Sequence, residues 1–241
     1  GRVVTKAKFC VYGDRDAERT MVVFGDSHVA QWFGALTRAA EAEHVKLYWL
    51  TKSACPAVDV SVRVWRGYSR YTQCDRWRPR AFRKIVKLSP DLVVTSSYAF
   101  HQVIDGKTGA KLRGKARKAE WRRGAARTLK SLSKAADRVV QLRDTARQQV
   151  DVPVCLVRHN LRSKPCRTKT SWALPRALWK VERKVAAGLD DVKYVDLSSS
   201  MCGAKWCRPL DGKYLRWRDD SHLTDTYSRH LAPLLRPYLR A

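Results

Sequence analysis

Val22-Val23-Phe24-Gly25-Asp26-Ser27-His28 is a short apolar run that ends in a glycine turn and delivers a serine to the start of a helix. Met21 to Phe24 is continuously apolar, as expected of a strand buried on both faces, and Gly25 permits the sharp turn that ends it. Val29, Trp32, Phe33, Leu36 and Ala40 then recur at helical spacing. Ser27 is thereby placed on a strand-to-helix junction, its hydroxyl at the carboxyl edge of a sheet and its N–H at a helix start, where an oxyanion can be held. Taken alone, Asp26 and Ser27 also read as ordinary N-cap residues.

Outward from this stretch, apolar runs at Val45–Leu50, Asp91–Thr95, Arg138–Leu142 and Val192–Asp196 alternate with helical patterns near 28–43, 80–88, 121–136 and 172–188. The closing helix runs through Leu223, Tyr227, Leu231 and Leu235. Five strands separated by helices predict a three-layer α/β/α sandwich on a five-stranded parallel sheet. The whole chain, 1–241, reads as one domain, with irregular excursions at about 51–78, 101–115 and 143–171.

Composition narrows the class. With 44% apolar residues, nine Trp and nine Tyr the chain is not disordered, and no apolar run reaches the length of about 18 residues that a membrane span requires. The opening residues from Gly1 to Lys6 are no signal peptide. Of seven cysteines, six fall into short-range pairs in loop-like stretches, Cys55/Cys74, Cys155/Cys166 and Cys202/Cys207. Such pairs fit disulfides and an oxidising compartment, with scattered reduced thiols as the alternative and Cys10 left over. No Cys-x-x-Cys spacing points to a metal. The net charge of +27, from 49 Lys and Arg against 22 Asp and Glu, suits an anionic surrounding such as cell-envelope polymers. No nucleic-acid-binding motif accompanies it, so no specific nucleic acid is expected.

Near the other end stands Asp219-Asp220-Ser221-His222. An aspartate three residues before a histidine can curl onto Nδ1 and leave Nε2 free to take a proton from a serine hydroxyl. Ser27, Asp219 and His222 are therefore the candidate triad. The remaining histidines lack ligand spacing and read as structural or surface groups, although His28, beside the nucleophile, is placed to line its pocket.

The combination resembles the SGNH (GDSL-like) hydrolase superfamily, whose first block matches Gly25-Asp26-Ser27 and whose last matches Asp219 to His222. Phe24–Trp32, Thr51–Pro56, Arg143-Asp144-Thr145, Val152–Leu156 and the run from Cys202 and Cys207 through Tyr214 narrow it to the SGNH domain fused to bacterial acyltransferase-3 membrane proteins. That resemblance implies a flavodoxin-like SGNH fold on the outer face of a bacterial cytoplasmic membrane. It also implies a covalently linked acyltransferase-3 membrane domain, a glycan acceptor and O-acetyl transfer. The same resemblance implies no bound cofactor and an acetyl group delivered from acetyl-CoA through the membrane domain. An esterase with the same triad and a non-catalytic module binding an anionic polymer are the alternatives.

One departure from the family stands out. Typical members place an oxyanion-donating glycine after the second strand and an asparagine after the third. Here those places read Thr51-Lys52-Ser53 and Thr95-Ser96-Ser97-Tyr98. Either backbone N–H groups, beginning with that of Ser27, or hydroxyls such as Ser97 replace the two donors, with Ser53 and His28 completing the expected oxyanion and substrate-binding set, or the domain is a poor hydrolase on its own. Weakened hydrolysis of this kind favours transfer over free-standing esterase activity.

Overall fold

A computed structural model describes residues 3–64, 67, 69–174 and 176–240. Of the expected domain 1–241, Gly1, Arg2 and Ala241 lie outside the described residues, as do Trp65, Arg66 and Tyr68 within the expected 51–78 excursion and Pro175 within the expected 172–188 helix. The main sheet is built of β1 (Cys10–Gly13), β2 (Thr20–Gly25), β3 (Lys46–Thr51), β4 (Leu92–Ser96), β5 (Arg138–Leu142) and β6 (Val192–Val195), in the order β1-β3-β2-β4-β5-β6. The five expected strands are all present and parallel, with Val22 paired to Tyr48 on one side and to Val93 on the other. The sixth, β1, is a correction to the five-stranded expectation: it runs antiparallel along the edge of β3, Cys10 opposite Trp49. Cys10 is exposed and the strand's other three residues are half-buried. Neither length nor alternation marks it, and pairing with β3 defines it.

Alternation along β2 divides the core. Met21 and Val23 face one cluster with Trp32, Leu36, Trp217, Tyr227 and Leu235, while Val22 and Phe24 face another with Trp77, Ile85, Trp121 and Leu129. This is the strand period of two, with both faces covered as a parallel sheet requires. The first face carries α1 (Ser27–Ala30), α2 (Phe33–Ala42), α7 (Asp225–His230) and α8 (Ala232–Leu239); the second carries α3 (Thr72–Leu88), α4 (Gly114–Ser133) and α6 (Arg176–Ala186). Between β5 and α6 lies α5 (Val152–Arg158).

All three expected excursions contain helix, the one at 101–115 passing into α4 at Gly114. The 51–78 segment passes into α3 at Thr72, and the 143–171 segment holds α5, whose N-cap Asp151 accepts the Val154 N–H. The sequence forms all three expected disulfides, Cys55–Cys74, Cys155–Cys166 and Cys202–Cys207, and leaves Cys10 free and exposed. Among the described residues no helix is long and apolar enough to cross a membrane.

The segment from Ala57 to Val60 is clamped onto α4. Thr128 Oγ1 accepts the Asp59 N–H at 2.9 Å and donates to the Ala57 carbonyl at 3.0 Å. Contact this close needs Gly124, where an added Cβ would lie 2.6 Å from the Asp59 carbonyl oxygen and 2.7 Å from Val60 Cγ1. Gly124→Ala gains about 1 kcal/mol of helix propensity but overpacks against backbone, at a cost of about 1–3 kcal/mol. The overpacking is expected to prevail, with a lower urea midpoint than wild type; a higher midpoint would show that the clamp yields.

Candidate active site

The site forms where β2 ends. Gly25 has φ +150°, and a Cβ there would drive into the Ser96 carbonyl on β4, so the chain turns where only glycine fits. Asp26, fully buried, caps α1 by accepting the His28 N–H at 2.8 Å. Ser27 is then the first residue of α1, where a backbone N–H has no carbonyl inside the helix to meet.

The histidine arrives from the loop before α7. Asp219 Oδ1 accepts the Ser221 and His222 N–H groups, both at 2.7 Å, which folds the loop into a tight turn. Its other oxygen, Oδ2, lies 2.8 Å from His222 Nδ1, and His222 Nε2 lies 2.9 Å from Ser27 Oγ. The three expected residues thus join in one hydrogen-bonded relay across 195 positions of sequence. Burial alone would raise the Asp219 pKa; the hydrogen bonds from the His222 imidazole and from the two backbone N–H groups outweigh it and hold the carboxyl well below its usual range.

Gln31 fastens the two halves together. Its Nε2 donates to the His28 carbonyl at 2.9 Å and to Thr145 Oγ1 at 3.0 Å, while its Oε1 accepts the Leu223 N–H at 2.8 Å. Thr145 Oγ1 in turn donates to the Ser221 carbonyl at 3.2 Å.

A cleft of about 410 Å³ opens over the relay, lined by Ser27, His28, Ser53, Ala54, Tyr98, His101, Asp151 and the run from Arg218 to His222. Of the expected oxyanion donors, Ser27, Ser53 and His28 line it. Ser97 does not. Its Oγ turns inward to accept the Ala57 N–H at 2.9 Å and the Val58 N–H at 3.3 Å, so its hydroxyl holds a backbone turn. Ala54, with φ +57°, follows Ser53 into the cleft wall.

Three further acid and imidazole groups escape a reading by spacing. His101, expected to be structural or superficial, is buried with Nε2 2.7 Å from Asp26 Oδ2, which also accepts the Tyr98 N–H at 3.0 Å. Burial would raise the Asp26 pKa, but the bond from His101 chiefly outweighs it and lowers the value. Asp144, the third, lies 2.6 Å from His28 Nδ1. Its sequence signals are its place in the Arg143-Asp144-Thr145 motif and just beyond β5, at the carboxyl edge where ligands of such sheets bind.

Over residues 2–237 the sequence matches the family described as the SGNH domain fused to AT3 domains. The chain belongs to that family. No curated protein matches the sequence. Among solved structures, the SGNH domain resembles the lipopolysaccharide acetyltransferase periplasmic domain of Salmonella ser. Paratyphi A, with TM-score 0.65, 14% identity, 93% of this chain covered and 84% of that one. It also resembles the acetyl xylan esterase AlAXEase, with TM-score 0.54, 12% identity and coverage of 91% and 98%. The Clostridium thermocellum family two carbohydrate esterase gives TM-score 0.55, 12% identity and coverage of 92% and 64%. At these identities the likeness is one of fold.

Proposed function

We propose that this SGNH domain is an O-acyltransferase that carries an acyl group, in the first place acetyl, to a hydroxyl of a cell-surface or cell-wall glycan through an acyl-serine on Ser27. The observation that carries the reading is the continuous Ser27–His222–Asp219 relay at 2.9 and 2.8 Å. His222 Nε2 takes the Ser27 proton as Oγ bonds to the acyl carbon, and the proton then passes to the leaving oxygen as its bond to carbon breaks. A sugar hydroxyl repeats the sequence in reverse, giving its proton to His222 and leaving as the ester. Asp219 fixes the imidazole with its Nδ1 proton inward and stabilises the cation that forms. The Ser27 N–H, with the backbone beside Ser53 and Ala54, faces the charge that develops on the carbonyl oxygen.

Fusion to AT3 domains within the family supports a supply route. The covalently linked membrane domain would pass acetyl from acetyl-CoA to the outer face of the cytoplasmic membrane, where three disulfides are stable. The carbohydrate-acting proteins of similar fold support a glycan acceptor. The positive charge is directed elsewhere, since the cleft itself carries Asp151, Asp219 and Asp220 beside Arg218. Anionic envelope polymers would therefore meet the outer surface.

Water as second acceptor would make the same site an esterase, a reading favoured by the esterase folds it resembles. Incubation with p-nitrophenyl acetate followed by intact-mass measurement is expected to show one added acetyl group, lost in Ser27→Ala. Discharge of that acetyl faster by a glycan than by water establishes transfer, and discharge by water alone establishes an esterase. An intact fold without labelling or turnover excludes both.

A further inference from the structure

His28 is one of three imidazoles lining the cleft, with His101 and His222, and it is held as His222 is held, by a carboxylate on Nδ1. Asp144 Oδ1 lies 2.6 Å from that nitrogen. Asp144 is itself fixed, accepting the Ala99 N–H at 2.6 Å and the Thr145 N–H at 2.8 Å. The His28 ring packs against Tyr98, with centroids 4.3 Å apart, and against His222 at 4.7 Å. With Nδ1 tied down and the ring packed between two aromatic neighbours, the edge bearing Nε2 is what His28 offers to the cleft it lines.

Two such pairs in one cleft are suited to different work. His222 accepts the Ser27 proton and must be neutral beforehand. The surroundings of His28 pull the other way, toward the charged form. Burial disfavours its charge, yet contact with Asp144, and then Asp26 and Asp219, outweighs burial and raises its pKa. The groups facing it are Asp26 from the end of β2, Tyr98 and His101 from the loop after β4, Asp144 from the loop after β5, and Asp219 and His222 from the loop before α7. A charged imidazole carries a proton on both nitrogens, so Nε2–H becomes a donor.

Resting on the acyl-serine reading above, we propose that His28 is an oxyanion donor standing in for the asparagine amide absent after β4. In that place Ser97 turns inward and the Tyr98 ring backs His28. As Ser27 Oγ bonds to the acyl carbon, the carbonyl π pair moves onto oxygen and His28 Nε2–H meets the new charge. When the pair returns and the leaving oxygen departs, His28 has given up no proton; His222 carries that one. Asp144 is a positioning residue, acting through His28.

Stopped-flow acetylation by p-nitrophenyl acetate tests this across pH, with folding of each variant checked by circular dichroism. His28→Ala is expected to slow acetylation by about 10²–10³-fold near neutral pH, the loss typical of one oxyanion donor. His28→Gln, whose amide can donate, recovers part of the rate. The ratio of wild-type to His28→Ala rates shrinks as pH rises and His28 loses its second proton, and Asp144→Asn moves that decline to lower pH. A folded His28→Ala within about threefold of wild type, where a lost donor should cost far more, overturns the proposal. So does a deficit that is the same at every pH and is not relieved by glutamine. In either case, loss of labelling in Ser27→Ala leaves the acyl-serine standing; labelling that survives Ser27→Ala overturns that reading instead.

Discussion

Ser27→Ala is expected to lower single-turnover acyl transfer by about 10⁶-fold, the loss seen when a serine hydrolase is stripped of its nucleophile. His222→Ala should cost about as much, because without the base at 2.9 Å the hydroxyl keeps its proton. The double variant should be no worse than either single one, since the residues of a relay act as a unit. Asp219→Asn is milder, at about 10⁴-fold: an amide can donate to Nδ1 and so favours the tautomer whose proton sits on Nε2, facing Ser27. Losses that multiply in the double variant would show that serine and histidine act independently. Acid should spare this arrangement longer than most carboxylates. The Asp219 pKa is lowered in the fold, so its stabilising effect is complete above its ordinary value of 3.8 and is lost as pH falls below that.

Glu182→Gln is expected to stabilise the protein by roughly 3 kcal/mol at pH 7 and by almost nothing at pH 4. Glu182 lies buried on α6, accepting the Trp121 indole N–H from α4 at 2.9 Å. Burial pushes its pKa from 4.5 up to about 8, only partly opposed by the indole. Between those values the unfolded chain has released the proton and the native chain still holds it. Native protein then binds more protons, so stability falls with rising pH at about 1.4 kcal/mol per unit until Glu182 ionises in the fold. Glutamine keeps an oxygen for the indole and removes the titration. Chemical denaturation at pH 4, 7 and 8 tests this; parallel wild-type and variant profiles would mean that Glu182 is charged in the native state.

The sheet was legible because its central strands are buried on both sides and read as unbroken apolar runs such as Met21–Phe24 and Leu92–Val94, while β6 keeps Val192 and Val195 buried around an exposed Lys193. Helix starts were harder. The first turns of α4, from Gly114 to Glu120, hold no large apolar residue and are exposed or half-buried, so they lack the apolar spacing that begins to show at Trp121. Asp151 before Val152 and Pro153 was a readable start for α5, hidden by the irregular residues around it. Ser27, Asp219 and His222 stood out because each lies in a recognisable local pattern. Asp26–His101 and His28–Asp144 did not, since those pairs are separated by 75 and 116 positions and exist only once the loops after β4 and β5 converge.

The Gln31 tie between the nucleophile's helix and Leu223 also fixes an order of events in time. A ribosome adding about 5–20 residues per second exposes Ser27 roughly 10–40 s before the histidine 195 positions later. Throughout that interval the serine has no His222 imidazole beside it. The Ser27–His222 contact closes only when the loop carrying Asp219 and His222 docks beside α1, so the base meets the hydroxyl after the intervening strands are in place.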